Sequence, residues 1–426
     1  MGIRGLELNK HERRTFWIHM MYSLIEGVIV GALALNEFVL IKSLKGSDYQ
    51  IGFLAQFSVL VLLFSVVFNE FIKRIHDKRK MLRIMALVTR LPLLAFLFFP
   101  SDFMEYQNNT IFPYFFLGIF LIYFLAQPVI LPVINLFLKN SYRHQNFGKL
   151  YSYTSSASKI IMMGSTFIFG VLLDLDQTAF RFVYPVMGGL GIMSIFIFSN
   201  ISYNEEINEV KIKSYWDAIQ SSVRNMWAII RKNKPYRDFE IGFMLYGFAW
   251  LSTIAVIAIF FNKVLDLNYS SVAFYKNAYN IIAIVSLPYF GRLLGKIDPR
   301  KFAVITFSAL MLYLFFMGLT EFFPAHFELF GLKIYYTLIL AYLFYSVFAA
   351  TMALLWFIGS AYFCEDRQAA EYQSVHLTLT GLRGAFATLI GIYFYQLIGF
   401  AGTFAIAVIS CLIAVVLMIY SYKKYK

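Results

Sequence analysis

Charge is what this chain has least of: 14% of its 426 residues are Asp, Glu, Lys or Arg, against 60% that are hydrophobic. That leaves too little polar surface to cover a water-soluble globule of this size. Cysteine is nearly absent. Cys364 falls near a loop and Cys411 inside an apolar run, so neither a disulfide framework nor a metal cluster is supported. His11, His19, His76, His144, His326 and His376 are scattered along the sequence, and no phosphate-cradling glycine motif occurs. The acids, bases and nucleophile that a membrane-embedded transferase or protease would gather at one depth are therefore missing, and no cofactor is expected. Tails and loops are too short for the soluble domain that a membrane sensor usually carries. A cleavable signal peptide is also lacking: Met1–Arg14 is a polar, basic tail that leads directly into a long apolar segment. The first helix is expected to act as its own insertion signal.

What is present is apolar sequence in long runs. A hydrocarbon core of about 30 Å takes about 20 residues of helix, at about 1.5 Å per residue. Runs of that length recur from Thr15 to Tyr420, separated by short polar connections. Backbone in lipid must satisfy its own hydrogen bonds, and these runs are too long and continuous for barrel strands. The expected fold is an all-α membrane protein with twelve transmembrane helices. They lie near 15–41, 50–72, 81–100, 111–138, 148–173, 179–199, 237–262, 270–294, 300–322, 333–362, 370–397 and 399–421.

A net charge of +13 invites a nucleic-acid reading, which the placement of the charge refutes. Basic clusters at Arg4–Arg14, Lys73–Arg83, Lys139–Lys149, Lys211–Arg237, Arg292–Lys301 and Lys423–Lys426 fall in alternate loops. The opposite loops hold only Lys42, Lys45, Arg181, Lys263 and Lys333. By the positive-inside rule both termini are expected in the cytoplasm. The expected setting is a plasma membrane, that of a prokaryotic inner membrane, with the chain monomeric and its partners the bilayer, a small-molecule substrate and a coupling proton.

Residues 201–236 form the longest polar stretch and divide the chain into halves, 1–200 and 237–426. Within that linker Ser214 and Asp217 make a capping-box-like start, and Trp216, Ile219, Val223, Trp227 and Ile230 recur at helical spacing. Two readings stand: an amphipathic helix at the membrane interface, or a solvated linker helix packed on protein. The loop Phe71–Lys80 after span two is answered by Phe290–Lys301 after span eight, as parallel internal repeats require.

These features resemble the major facilitator superfamily over nearly the whole chain. In that family's loop pattern Asp77, Lys78 and Arg79 match, while Lys73 and Lys80 stand in place of glycines. In the second copy Gly291, Lys296, Arg300 and Lys301 match, Gly295 occupies the acid's place and Asp298 is displaced. The resemblance implies two pseudo-symmetric six-helix bundles that alternate access by rocking. It also implies a cytoplasmic gate at which Asp77, flanked by Lys78 and Arg79, meets a helix N-terminus of the other half. Span five, Ser155–Gly170, lacks the proline of the antiporter signature, which weighs against a drug exporter.

Charged side chains inside the bilayer are functional candidates by default, because burying them unpaired is costly. Arg383 in span eleven lies about 16 Å from the cytoplasmic end, close to the midplane, and His376, Thr380 and Arg383 share one helix face. Lys159 in span five sits at similar depth, in the equivalent position of the other half, so the two cations are expected to face each other. Lys276 and Asn280 pair at i, i+4 in span eight. Together these would line a cavity of positive potential that favours an anion. Lys159 has a second reading as a side chain that snorkels to the surface, and Arg383 as a structural tie to backbone carbonyls. Arg90, just before Leu91-Pro92, reads as an interhelical pair or a cap for backbone freed by the proline. Glu26, about midway through span one, is either the proton-coupling group or a static partner of a buried cation. Glu37 and Glu240, nearer span ends, read as interfacial or gating groups. The expected function is secondary active transport of a small organic solute, anionic in preference and proton-coupled. The alternative is an exporter of drugs or lipid-like amphipathic compounds.

Overall fold

A computed structural model of the chain describes residues 8–61, 75, 77–202, 215–365 and 368–425. Most of the Phe71–Lys73 end of the first repeat loop, together with His76 and Ser214, lies outside the described residues. Among the described residues nine segments are long and apolar enough to cross a membrane. One of them, Tyr372–Lys424, is two spans joined at Gly399, where the backbone leaves the helical region (φ 76°, ψ −176°). Asp48–Leu60 and Tyr269–Leu294 complete the twelve helices. The latter is kept out of the apolar class by the charge of Lys276 and Arg292 and the polarity of its asparagines.

The chain falls into two units, Met1–Gln50 with Phe64–Lys211, and Ile51–Leu63 with Ile212–Lys426. The first unit contains α1 (Lys10–Leu33), and then, past α2 (Asp48–Leu60), α3 (Lys78–Arg90) with a 3-10 continuation Leu91–Phe98. It goes on with α4 (Ile111–Phe124), α5 (Gln127–Ser141), α6 (His144–Leu175) and α7 (Phe180–Phe198). Helix α1 begins with a capping box, in which the Asn9 side chain and Glu12 exchange hydrogen bonds with each other's backbone N–H. Its contact with α6 is set by glycine. A Cβ at Gly27 would come within 2.5 Å of the Ser158 carbonyl oxygen, and one at Gly31 within 2.5 Å of that of Met162. Ser165 closes the seam by donating to the Val28 carbonyl at 2.8 Å. In lipid, where apolar burial drives no helix pairing, such close approach of small residues is what holds helices together. The aromatics Phe96, Phe116, Phe120 and Tyr184 are fully buried between α3, α4 and α7, and the Tyr184 hydroxyl donates to Asn36 at 2.8 Å.

The second unit contains α8 (Tyr215–Lys232), α9 (Lys234–Lys263), α10 (Tyr269–Leu294), α11 (Pro299–Phe322), α12 (Tyr336–Ile358), α13 (Ala369–Gly384) and α14 (Ala387–Lys424). Helix α9 packs along α14, with Gly391 set against the Ser252 backbone. The Ile51–Leu60 part of α2 belongs here too: Gln56 donates to the Ala385 carbonyl, where α13 gives way to α14. The helix expected from Trp216 to Ile230 is present as α8, with Val223 and Trp227 exposed.

One expectation needs correction. The span placed at 333–362 does not begin at Lys333, because Leu332–Tyr335 is strand β2, paired antiparallel with β1 (His326–Leu329). Phe330 and Gly331, both at positive φ (52° and 75°), make the tight turn whose twist suits a hairpin. The Tyr335 N–H also donates to the Tyr275 hydroxyl at 2.8 Å. The helix starts one residue later, at Tyr336.

Candidate functional site

The two repeat loops end in the same local device. Asp77 caps α3, its Oδ1 accepting from the Lys80 N–H at 2.9 Å, and Asp298 caps α11, accepting from the Arg300 N–H at 2.8 Å. Asp298, displaced in sequence, thus takes the structural place of Asp77. It also receives the Arg300 guanidinium, at 2.9 Å from Nε and 2.8 Å from Nη2. Burial pushes the Asp298 carboxyl up, but the hydrogen bonds from Arg300 outweigh it and hold the group below its ordinary value of 3.8. Arg300 in turn donates to the Ser421 carbonyl at 2.8 Å, tying α11 to the end of α14. Lys78 and exposed Arg79 open α3 beside Asp77, and Lys78 donates to the Ile75 carbonyl at 3.3 Å.

In the second unit the structure gathers four of the expected residues. His376, Thr380 and Arg383 share the buried face of α13, as the three- and four-residue steps predict, and Glu240 on α9 meets His376. His376 Nδ1 lies 3.1 Å from both Glu240 carboxylate oxygens. With Nδ1 assigned as the donor, Nε2 has no hydrogen-bond partner among the described residues. Phe243 and Trp356 flank the imidazole edge-on, with ring centroids 4.7 and 4.8 Å away. Glu240, although only two turns into α9, is 2% exposed. It is shielded from solvent, and its partner His376 stands on α13.

Arg383 is 1% exposed and turns onto α9 within its own unit. It donates from Nη1 to the Phe243 carbonyl and lies 5.8 Å from the centre of the Tyr246 ring. Gly247 makes room for it: a Cβ there would collide with the guanidinium. The structural reading of Arg383 accounts for these contacts, and its Nε remains without a partner among the described residues. Lys276 and Asn280 lie on α10, where the Asn280 side chain donates to the Lys276 carbonyl at 3.4 Å. Beside them Tyr275, Tyr279, Tyr313, Tyr342 and Tyr345 form a cluster with centroid separations between 4.6 and 5.9 Å.

Lys159 and Glu26 belong to the first unit. Lys159 is exposed on α6, while Glu26, half-buried on α1, accepts a hydrogen bond from Ser194 on α7 at 2.6 Å. Arg90 pairs between helices, as one of its sequence readings has it, but with an aromatic ring and, among the described residues, not with an acid or a freed carbonyl. It is buried at the end of α3 over the Tyr123 ring, its guanidinium carbon 3.9 Å from the centroid. Among the described residues no acid lies within 4.0 Å, and Nε and Nη1 meet no carbonyl. Its signal in the sequence was a lone cation deep in a span; the proline beside it suggested a backbone role that the fold does not use. The Glu240–His376 contact had no local signal, since 136 residues separate the partners. Among the described residues no group of His, Cys, Asp and Glu is placed to hold a metal.

Several solved transporters share this fold. The nucleoside transporter NupG covers 98% of this chain and 100% of its own, at 15% identity and a TM-score of 0.65. A POT family transporter in complex with 5-aminolevulinic acid covers 100% and 98%, at 11% identity and a TM-score of 0.74. A bacterial homologue of the human lysosomal transporter Spinster covers 97% and 96%, at 14% identity and a TM-score of 0.56. At such identities the likeness concerns the fold alone. No curated protein matches the sequence. Residues 15–363 match the Major Facilitator Superfamily, and the chain, a multi-pass membrane protein of twelve helices, belongs to that transporter superfamily.

Proposed function

We propose that this protein is a secondary active transporter that moves a small organic solute, anionic in preference, by alternating access driven by a proton gradient. The observation that carries the proton-coupled reading is the buried Glu240–His376 contact. An acid and a base facing each other at 3.1 Å can exchange one proton between a neutral and a charged pair, and a membrane interior makes the choice consequential. Arg383 adds a fixed positive charge within electrostatic reach of Glu240, which supports a preference for anions. Thr380, Lys159, Lys276 and Asn280 are the further candidates for lining the solute path, Glu26 is a second protonation point, and Asp77, Lys78 and Arg79 are the candidates for the gate. Proteins similar in fold include a nucleoside transporter and proton-dependent oligopeptide transporters, which is consistent with an organic solute.

Reconstitution in proteoliposomes tests the reading: a pH gradient should drive uptake of an organic anion, and Glu240→Gln should abolish it. The alternative, export of amphipathic compounds, draws on one observation. The first unit carries an apolar pocket of about 480 Å³ between α1, α6 and α7, lined by Val28, Ala32, Gly164, Ile168, Phe169 and Met187. Thermal stabilisation of the purified protein by lipophilic cations alone, unaltered by Arg383→Ala, would decide for that alternative.

A further inference from the structure

The geometry points to an anion-binding site in the first unit, built around Arg90 and taking a carboxylate. It rests on the transporter reading and deepens it by naming the group recognised. Arg90 is 6% exposed, yet its Nε and Nη1 have no hydrogen-bond partner among the described residues. A buried guanidinium with unmet donors is costly, and its planar fork matches a carboxylate bidentately. The space is built for the side chain: a Cβ at Gly191 on α7 would come within 2.9 Å of both Arg90 Cδ and Nε, so glycine admits it. Tyr123 on α4 supplies the floor, 3.9 Å below the guanidinium carbon.

An acid stands on the same turn of α7. Ser194, three residues after Gly191, bonds the Gly191 carbonyl at 3.0 Å and Glu26 Oε1 at 2.6 Å. Glu26 and Arg90 therefore flank one helical turn without meeting, since no ion pair within 4.0 Å joins them among the described residues. The other titratable groups around Glu26 are Tyr22 on its own helix and Tyr123 on α4, and Tyr151 on α6 lies within electrostatic reach of Tyr22. Lys159 follows on α6 the Ser158 whose carbonyl touches Gly27. A carboxylate arriving at Arg90 meets the field of Glu26, so its binding favours protonated Glu26, and solute and proton bind together. A single guanidinium beside an acid balances a monoanion and leaves a phosphate dianion uncompensated.

The test uses the purified full chain in detergent and its thermal unfolding with acetate, succinate and benzoate. Their uncharged amides and inorganic phosphate serve as the contrasting arms, at mildly acidic and at neutral pH. At least one carboxylate should stabilise the protein, more so in acid, while its amide does not at either pH and phosphate, largely a dianion at neutral pH, does not there. Arg90→Gln should weaken that carboxylate at least about tenfold, the order expected for one lost charge-assisted pair. Glu26→Gln, which keeps the hydrogen-bonding shape, should retain binding and erase the difference between the two pH values; it decides the matter even if Arg90→Gln does not fold. Carboxylate responses that are unchanged in Arg90→Gln, absent from the natural protein, stronger at neutral pH or exceeded by phosphate at neutral pH would each overturn the site. Gradient-driven uptake by protein that shows none of these shifts would leave the transporter reading standing and remove this one alone.

Discussion

His376 and Glu240, on α13 and α9, hold each other at 3.1 Å with 1% and 3% of their side chains exposed. The contact joins two helices of one unit through groups whose charges depend on a shared proton. Breaking such a buried pair by removing one partner leaves an uncompensated polar group. Glu240→Leu or His376→Leu alone should cost about 3–5 kcal/mol, whereas the double variant Glu240→Leu/His376→Leu should recover a large part of it. Unfolding in detergent across the full cycle checks this, and single variants as stable as the natural protein would show that the pair contributes no stability.

The α1–α6 seam gives a second expectation. Gly27→Ala and Gly31→Ala place a methyl group against backbone carbonyls at 2.5 Å and should each cost about 1–3 kcal/mol by overpacking. Gly118→Ala, with nothing within 4 Å, should stay within about 0.5 kcal/mol of the natural protein. Unfolding midpoints of the three variants side by side measure the contrast, and equal effects would deny the close approach.

Asp298 makes stability depend on pH in a defined direction. Its folded-state value lies below the ordinary 3.8, so its contribution is fully present above 3.8 and is lost as pH falls through that value toward the lower folded one. Asp298→Ala should cost about 1 kcal/mol at neutral pH through the lost cap, and the gap to the natural protein should close in acid below 3.8. Melting both proteins over a pH series reads this directly, and a gap that widens in acid would reverse the sign argued here.

Gly399 turns the chain between the last two spans with φ at 76° and ψ at −176°, a backbone region essentially closed to residues with a Cβ. Gly399→Ala should therefore cost about 1–3 kcal/mol although no neighbouring atom lies within 4 Å of the added methyl. Comparison with Gly118→Ala, which is equally uncrowded but has no positive φ, separates backbone strain from packing.

Hydropathy and the spacing of polar loops marked the chain as a twelve-helix membrane protein, and the resemblance of its repeat loops to the family's pattern pointed to this superfamily. Those properties are carried by long stretches of like residues and survive any detail of packing. The shared face of His376, Thr380 and Arg383 was legible for the same reason, since helical periodicity is local. Direction across space was not. The room left by Gly247 and the carbonyl of Phe243 turn Arg383 onto α9, a contact that no local pattern around Arg383 announces. The partner of His376 lies 136 residues away. Arg90 owes its place over Tyr123 to Gly191, about a hundred residues on, and no local rule links them. Only the end of β2 falls in the span expected at 333–362, because Ile334 and Tyr335 are as apolar as the helix they precede. Which polar atoms are met and which are left unpaired is a property of helices brought side by side, so the tertiary structure alone decided it.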